Sequence, residues 1–199
     1  MKIISCEQYS ETWWAARRGL PTSSKFDKLI TPGGKASTQS TQYMYELIAE
    51  GTVHEEEEAF EQSEWMLRGS ELEPEARNWL SMKRGEEVRQ VGLIVNDAGT
   101  YGASPDGLPG DAIGLEIKCP KGSTHVRYLD EGKLPPKYAP QVHGQMLVTG
   151  FDEWLFMSYH PNFEPLLVTV KRDDYTKKLE IAVDAFVTRL AETRKRLGL

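Results

Sequence analysis

Ser104-Pro105-Asp106-Gly107-Leu108, followed by Gly114-Leu115-Glu116-Ile117-Lys118, is the stretch on which the fold turns. In an extended chain, side chains two apart share a face, so Glu116 and Lys118 project together while Leu115 and Ile117 turn towards a core. An acid and an amine then occupy one site. Asp106 stands ten residues before Glu116, between a proline and a glycine. That is a bend which brings its carboxylate beside Glu116 if the two segments run as antiparallel neighbours. Two converging carboxylates repel each other unless a cation lies between them. Oxygen ligation by so few protein groups suits Mg²⁺, with Mn²⁺ as a substitute, because these ions keep waters and take further oxygens from a phosphate. Asp106, Glu116 and the carbonyl of Ile117 are the candidate ligands. Lys118 is the candidate for orienting or deprotonating an attacking water. The same residues also fit a plain hairpin with a turn aspartate and a surface Glu-Lys pair.

Working outward, Val88, Val91, Leu93 and Val95 predict strands that end at the turn Asn96-Asp97-Ala98-Gly99. Helical patterns lie at about 123–131 and 138–148, strands near 154–159 and 166–170, and a long amphipathic helix from Asp173 to Leu199 carries Leu179, Ala182, Phe186 and Leu190 on one side. Towards the N-terminus, Tyr9, Trp13 and Ala16 predict a helix over about 5–18, closed by Gly19. Thr22-Ser23-Ser24 offers N-cap hydroxyls to a second helix bearing Phe26, Leu29 and Ile30. The small polar stretch Thr31 to Gln42 reads as a mobile loop with Lys35 at its tip. Tyr43, Leu47 and Ile48 mark a helix running into His54 and the acidic run Glu55 to Glu58. Another helix lies within 63–84, on a stripe of Leu72, Ala76, Trp79 and Leu80. Helices, then a mixed central β-sheet with helices inserted, then a closing helix make an α/β (α+β) sandwich.

A chain of 199 residues suits a single domain over 1–199. No apolar run reaches the roughly 20 residues of a membrane helix, so a soluble, cytoplasmic protein without a membrane partner is expected. Cys6 and Cys119 alone make neither a disulfide framework nor a zinc cluster. The net charge of −6 runs against binding a polyanion, unless basic groups gather in one groove. His54, His125 and His160 show no ligand spacing.

The Ser-Pro-Asp-Gly-Leu and Leu-Glu-Ile-Lys segments resemble the core of the lambda exonuclease, or YqaJ-like viral recombinase, family. The similarity extends from about Trp13 to Tyr159, through separated segments in the same order. It implies a PD-(D/E)xK, restriction-endonuclease-like core. Arg68-Gly69, Glu73 and Ala76-Arg77 resemble the family's helix whose glutamate joins the metal site. Ser70-x-x-Glu73 is equally a capping box, and Pro74 departs from the pattern and must start or kink a helix. Trp13 through Ser24 resembles the family's 5′-phosphate pocket, with Arg17 as the phosphate-binding arginine and Ser24 as its serine. A helix start and a guanidinium both suit an anion, although an arginine at a helix end also simply compensates the dipole. Ala139 through Met146 is similar to the helix that lends a glutamine, which is Gln141 here, with Gln145 one turn on. His143 in that segment is a candidate general base or a histidine at the edge of the core.

The resemblance implies a phage-type, Mg²⁺-dependent 5′ to 3′ exonuclease acting on double-stranded DNA ends. Such an enzyme releases 5′-mononucleotides and leaves a 3′ single-stranded overhang. A ring-shaped homotrimer and a partnership with a single-strand annealing protein, in a phage-infected or prophage-carrying host, come with it. The alternatives are an endonuclease or junction resolvase of the same superfamily, and a non-catalytic module that holds DNA ends.

Overall fold

The computed structural model describes residues 1–53 and 64–199; His54 and the acidic run Glu55 to Glu58 lie outside the described residues. Its centre is a mixed sheet. β6 (Ile113–Lys118) pairs in parallel with β7 (Glu153–Ser158), placing Glu116 opposite Phe156, and β7 pairs antiparallel with β8 (Leu166–Lys171). An antiparallel bridge from Gly107 to Leu115 ties the segment just before β5 (Leu108–Pro109) to β6, and β5 pairs antiparallel with β2 (Val88–Arg89). A smaller antiparallel sheet orders β1 (Lys2–Ile4), β3 (Leu93–Val95) and β4 (Gly102–Ala103).

Both faces of β6 are covered, so its residues read as a continuous buried run. On one face Leu115 and Ile117 pack with Leu155 and Met157 beneath Ala76 and Leu80 of α3 (Glu64–Arg84). On the other, α5 (Ala139–Thr149) packs Val142 and Met146 against Trp154 and Phe156. α4 (Gly122–Glu131) and α5 together form the crossover that parallel pairing of β6 with β7 requires. α2 (Ser40–Thr52) and α6 (Asp174–Leu197) close the remaining core, with Tyr43 stacked on Phe186 at 5.5 Å. Asp173 caps α6 through the backbone N–H groups of Tyr175 and Thr176, and Thr176 returns a bond to the Asp173 N–H.

Three expectations need correction. The N-terminal helix, α1, spans only Glu11–Arg17, because Lys2–Ile4 pair with Leu93–Val95 and Tyr9 takes a left-handed backbone with φ 67°. For a bulky residue that conformation costs about 1–2 kcal/mol. The segment after Thr22 is a 3₁₀ helix, Ser23–Lys28, without a side-chain cap. α3 runs through Pro74 instead of starting there, which removes the capping-box account of Glu73, since Ser70 stands inside the helix. Packing of Ala76 and Leu80 into the core outweighs a proline penalty of about 3 kcal/mol. The stretch after Ile30 is tied back on itself, with the Thr31 N–H donating to Lys35 O at 2.7 Å and the Ser37 N–H to Leu29 O at 2.9 Å.

Gly144 on α5 lets the 3₁₀ helix lie close, since a Cβ there would sit 2.5 Å from the Phe26 ring and 3.1 Å from Ser23 Cβ. Gly144→Val therefore lowers stability by about 1–3 kcal/mol, read as a lower urea midpoint at unchanged slope.

Candidate active site

β6 and the bend before β5 carry the centre of the site. The Asp106 N–H donates to Leu115 O at 3.0 Å, and the Leu115 N–H to Gly107 O at 2.9 Å, so the two segments are antiparallel neighbours. Gly107 is needed for this approach, because a Cβ there would collide with Val88 Cγ1. Asp106 Oδ2 accepts the Ile117 N–H at 2.5 Å, which places the carboxylate against β6. Glu116, only 1% exposed, accepts a hydrogen bond from Gln145 Nε2 at 2.5 Å, and its Oε1 is in ionic contact with Lys118 Nζ. Two residues on one face of one strand thus meet as an acid and an amine.

α3 presents Glu73 to the same centre, with Arg77 Nη1 3.7 Å from Glu73 Oε2 and donating to Asp106 O at 3.4 Å. The electrostatics follow from burial and crowding. Desolvation, then the charges of Glu116 and Glu73, push the Asp106 carboxyl well above the usual carboxylate range. Desolvation also raises Glu73, with Lys118 and Arg77 opposing it and Glu116 adding to it. For Lys118 desolvation works against the charge, but Glu116 and Asp106 outweigh it and raise its pKa. It is an ammonium at neutral pH. The Cys119 thiol, pushed up to about 12 by burial and then by Glu73 and Asp106, is an inert neighbour.

Three mutually repelling carboxylates against one lysine leave an excess of negative charge that a divalent cation would neutralise. Among the described residues, no three His, Cys, Asp or Glu side chains gather into a ligand set for one ion. Asp106 and Glu116, with a backbone carbonyl such as that of Ile117, fit a cation that retains most of its water, as Mg²⁺ does.

Arg17, at the end of α1, reaches towards the same segment. Its Nη1 donates to Ser104 Oγ at 3.0 Å and its Nη2 to Thr22 Oγ1 at 3.2 Å and Ser24 Oγ at 3.4 Å. The guanidinium lies 4.3 Å from the Trp13 ring centre. No carboxylate among the described residues forms a salt bridge with it, and desolvation lowers its pKa, so the group is a charge held among hydroxyls. Ser104 stands two residues before Asp106 and also accepts from Trp13 Nε1 at 2.9 Å. Sequence reading passed over Ser104 and Thr22, although Ser104 opens the Ser-Pro-Asp-Gly motif.

The two glutamines separate. Gln145 is fully buried on Glu116, with its Oε1 lacking a partner among the described residues. Gln141 lines a cavity of about 160 Å³ with Ser23, Ser24, Asp27, Lys137 and Tyr138. Both are placed by α5, on different walls. His143 faces away: it is buried, and its Nδ1 bonds Thr176 Oγ1 of α6 at 2.7 Å. His125 is likewise tied, to Ser158 Oγ at 2.8 Å and Glu164 O at 3.1 Å.

An aspartate bend bonded to a strand that carries Glu-x-Lys, on a mixed sheet between helices, belongs to the PD-(D/E)xK nuclease fold. Residues 12–152 match the YqaJ-like viral recombinase domain, and the chain belongs to that family. The structure is similar to an alkaline exonuclease (LHK-Exo) from Laribacter hongkongensis, at 36% identity and a TM-score of 0.82 over 95% of this chain and 96% of that one. The same exonuclease in complex with dAMP gives a TM-score of 0.81 at 36% identity, over 94% and 96% of the two chains. A phage-related exonuclease from Haemophilus somnus shares the fold, with a TM-score of 0.61 at 15% identity over 87% of this chain and 96% of that one. No curated protein matches the chain. No described helix is long and apolar enough to cross a membrane.

Proposed function

We propose that the protein is a phage-type exonuclease that digests one strand of double-stranded DNA from its 5′ end. In this reading it releases 5′-mononucleotides and leaves a 3′ single-stranded overhang for strand annealing. One observation carries it: Arg17, ringed by the hydroxyls of Ser104, Thr22 and Ser24, hangs on the segment that continues into Asp106. A receptor for a terminal phosphate beside a hydrolytic centre selects ends, and the family and the structural relative support the exonuclease class. Polarity, a ring-shaped homotrimer, an annealing-protein partner and a cytoplasmic setting in a phage-infected or prophage-carrying bacterium rest on family membership.

Asp106, Glu116 and the carbonyl of Ile117 would hold Mg²⁺, which supplies Lewis acidity towards the scissile phosphate. Mn²⁺ would substitute. The protein's own groups do the positioning. Lys118, held as an ammonium by Glu116 and Asp106, donates hydrogen bonds to the attacking water or to a phosphate oxygen and accepts no proton in this state. Gln145 fixes the Glu116 carboxylate so that its position survives substrate exchange. Glu73 adds a third acid, and Arg77 holds both Glu73 and the Asp106 backbone. Gln141 and Ser24, on the wall of the neighbouring cavity, are placed to contact the terminal nucleotide.

Incubation with linear and covalently closed plasmid, in Mg²⁺ and in EDTA, tests the proposal. Linear DNA is expected to lose acid-soluble nucleotides in Mg²⁺ alone, with the closed circle left intact. Cutting of the circle would instead assign an endonuclease or junction resolvase, and no release from either would leave an end-binding module. Sedimentation at a mass near three times 22.5 kDa checks the ring.

A further inference from the structure

Beside the hydrolytic centre lies an aromatic surface that the reaction does not use. Trp14 is 47% exposed and Tyr9 49% exposed. The two rings lie 6.5 Å apart at a steep angle, and both rest on the buried Trp13, at 5.2 Å from Tyr9 and 4.6 Å from Trp14. Trp13 is in turn the ring beneath the Arg17 guanidinium.

This surface is fastened to the site at two points. Gln8, the residue before Tyr9, donates from Nε2 to Val91 O at 2.8 Å and to Pro105 O at 2.9 Å, and Pro105 is the neighbour of Asp106. Trp13 Nε1 bonds Ser104 Oγ, which Arg17 shares. The Tyr9 hydroxyl, whose pKa is raised first by desolvation, also feels the charges of Glu73 and Asp106. Tyr9 is the one described residue other than glycine with a positive φ, a conformation that glycine would take without strain. A tyrosine in that place carries a ring outward at the expense of an unfavourable backbone.

We propose that Tyr9 and Trp14 form a stacking platform for an unpaired base of the strand whose phosphates enter between Arg17 and Asp106. The proposal rests on the nuclease reading above. Every base has a π-face, so aromatic stacking holds a strand without selecting its sequence, as a digesting enzyme requires. An acidic chain with net charge −6 also gains from an attachment that does not depend on phosphate neutralisation.

The test is a binding cycle in EDTA at fixed salt, where hydrolysis is blocked. Wild type, Tyr9→Phe, Tyr9→Gly and Trp14→Ala are titrated by fluorescence anisotropy against a labelled duplex with a short 5′-phosphorylated thymidine overhang. The same duplex with abasic sugars in the overhang is the comparison. Removing the bases is expected to weaken wild type and Tyr9→Phe about tenfold, and to leave Tyr9→Gly and Trp14→Ala nearly unaffected. Tyr9→Gly should melt no lower than wild type, which separates lost stacking from unfolding. Wild type that ignores the bases, or variants that lose the same factor as wild type, overturns the platform. A change in oligomeric mass with base dependence intact assigns the surface to subunit contact and overturns it as well. Nucleotide release by wild type in Mg²⁺ is measured in parallel. An active enzyme with base-blind binding overturns the platform alone, whereas an inactive wild type overturns the nuclease reading.

Discussion

Asp106→Asn is expected to abolish metal-dependent nucleotide release, by about 10³-fold or more, and at the same time to melt at a higher temperature than wild type in EDTA. The activity loss follows from removing one of two carboxylates proposed to hold the ion, a contribution of several kcal/mol at about 1.4 kcal/mol per decade. The stability gain follows from the crowding of Asp106 by Glu116 and Glu73 in a desolvated site. Its folded pKa lies above the unfolded value, so the ionised acid opposes folding at neutral pH. That penalty is relieved as the pH falls through the raised value towards the ordinary carboxylate range. Asparagine removes the charge and still accepts the Ile117 N–H. Each kcal/mol relieved raises Tm by about 2–4 °C for a chain of this size. Added Mg²⁺ should raise the Tm of wild type and not of Asp106→Asn. A variant that melts lower than wild type in EDTA would show that favourable bonds, not repulsion, dominate at Asp106.

Arg17→Ala is expected to slow digestion of 5′-phosphorylated ends by about 10–150-fold, the loss of a charge-assisted hydrogen bond of about 1.5–3 kcal/mol. Ends bearing a 5′-hydroxyl should change little. The contrast arises because the guanidinium is surrounded by the hydroxyls of Ser104, Thr22 and Ser24, with no carboxylate salt bridge among the described residues. Partial desolvation strengthens its pull on an anion. Arg17→Lys should recover only part of the preference, since an ammonium offers no planar fork. Equal slowing on both kinds of end would remove the phosphate assignment and leave Arg17 as a support for Trp13 and Ser104.

The sheet and the centre of the site were legible because their signals are local. Period-two alternation over 113–118 placed Glu116 and Lys118 together, and the Pro-Asp-Gly bend placed Asp106 beside them. What escaped was decided at long range. Pairing of Lys2–Ile4 with Leu93–Val95 has no signature in either segment alone, and it shortened the first helix. Pro74 looks like a helix start until the burial of Ala76 and Leu80 is known. Gln141 and Gln145 differ by one helical turn, and only the packing of α5 on β6 shows that Gln145 is the one bonded to Glu116. Gln8 and Ser104 join segments more than 80 residues apart in the chain, so no spacing rule could have linked them.

The short connection between Ser104 and Asp106 has a bearing on product size. Two residues of chain span at most about 7 Å, and strand pairing holds both ends of that span. In the proposed reaction the grip on the terminal phosphate and the point of scission are therefore mounted on one stiff arm. Such an arm works as a gauge: each advance is of fixed length, and fragments of uniform size leave without any timing by a moving part.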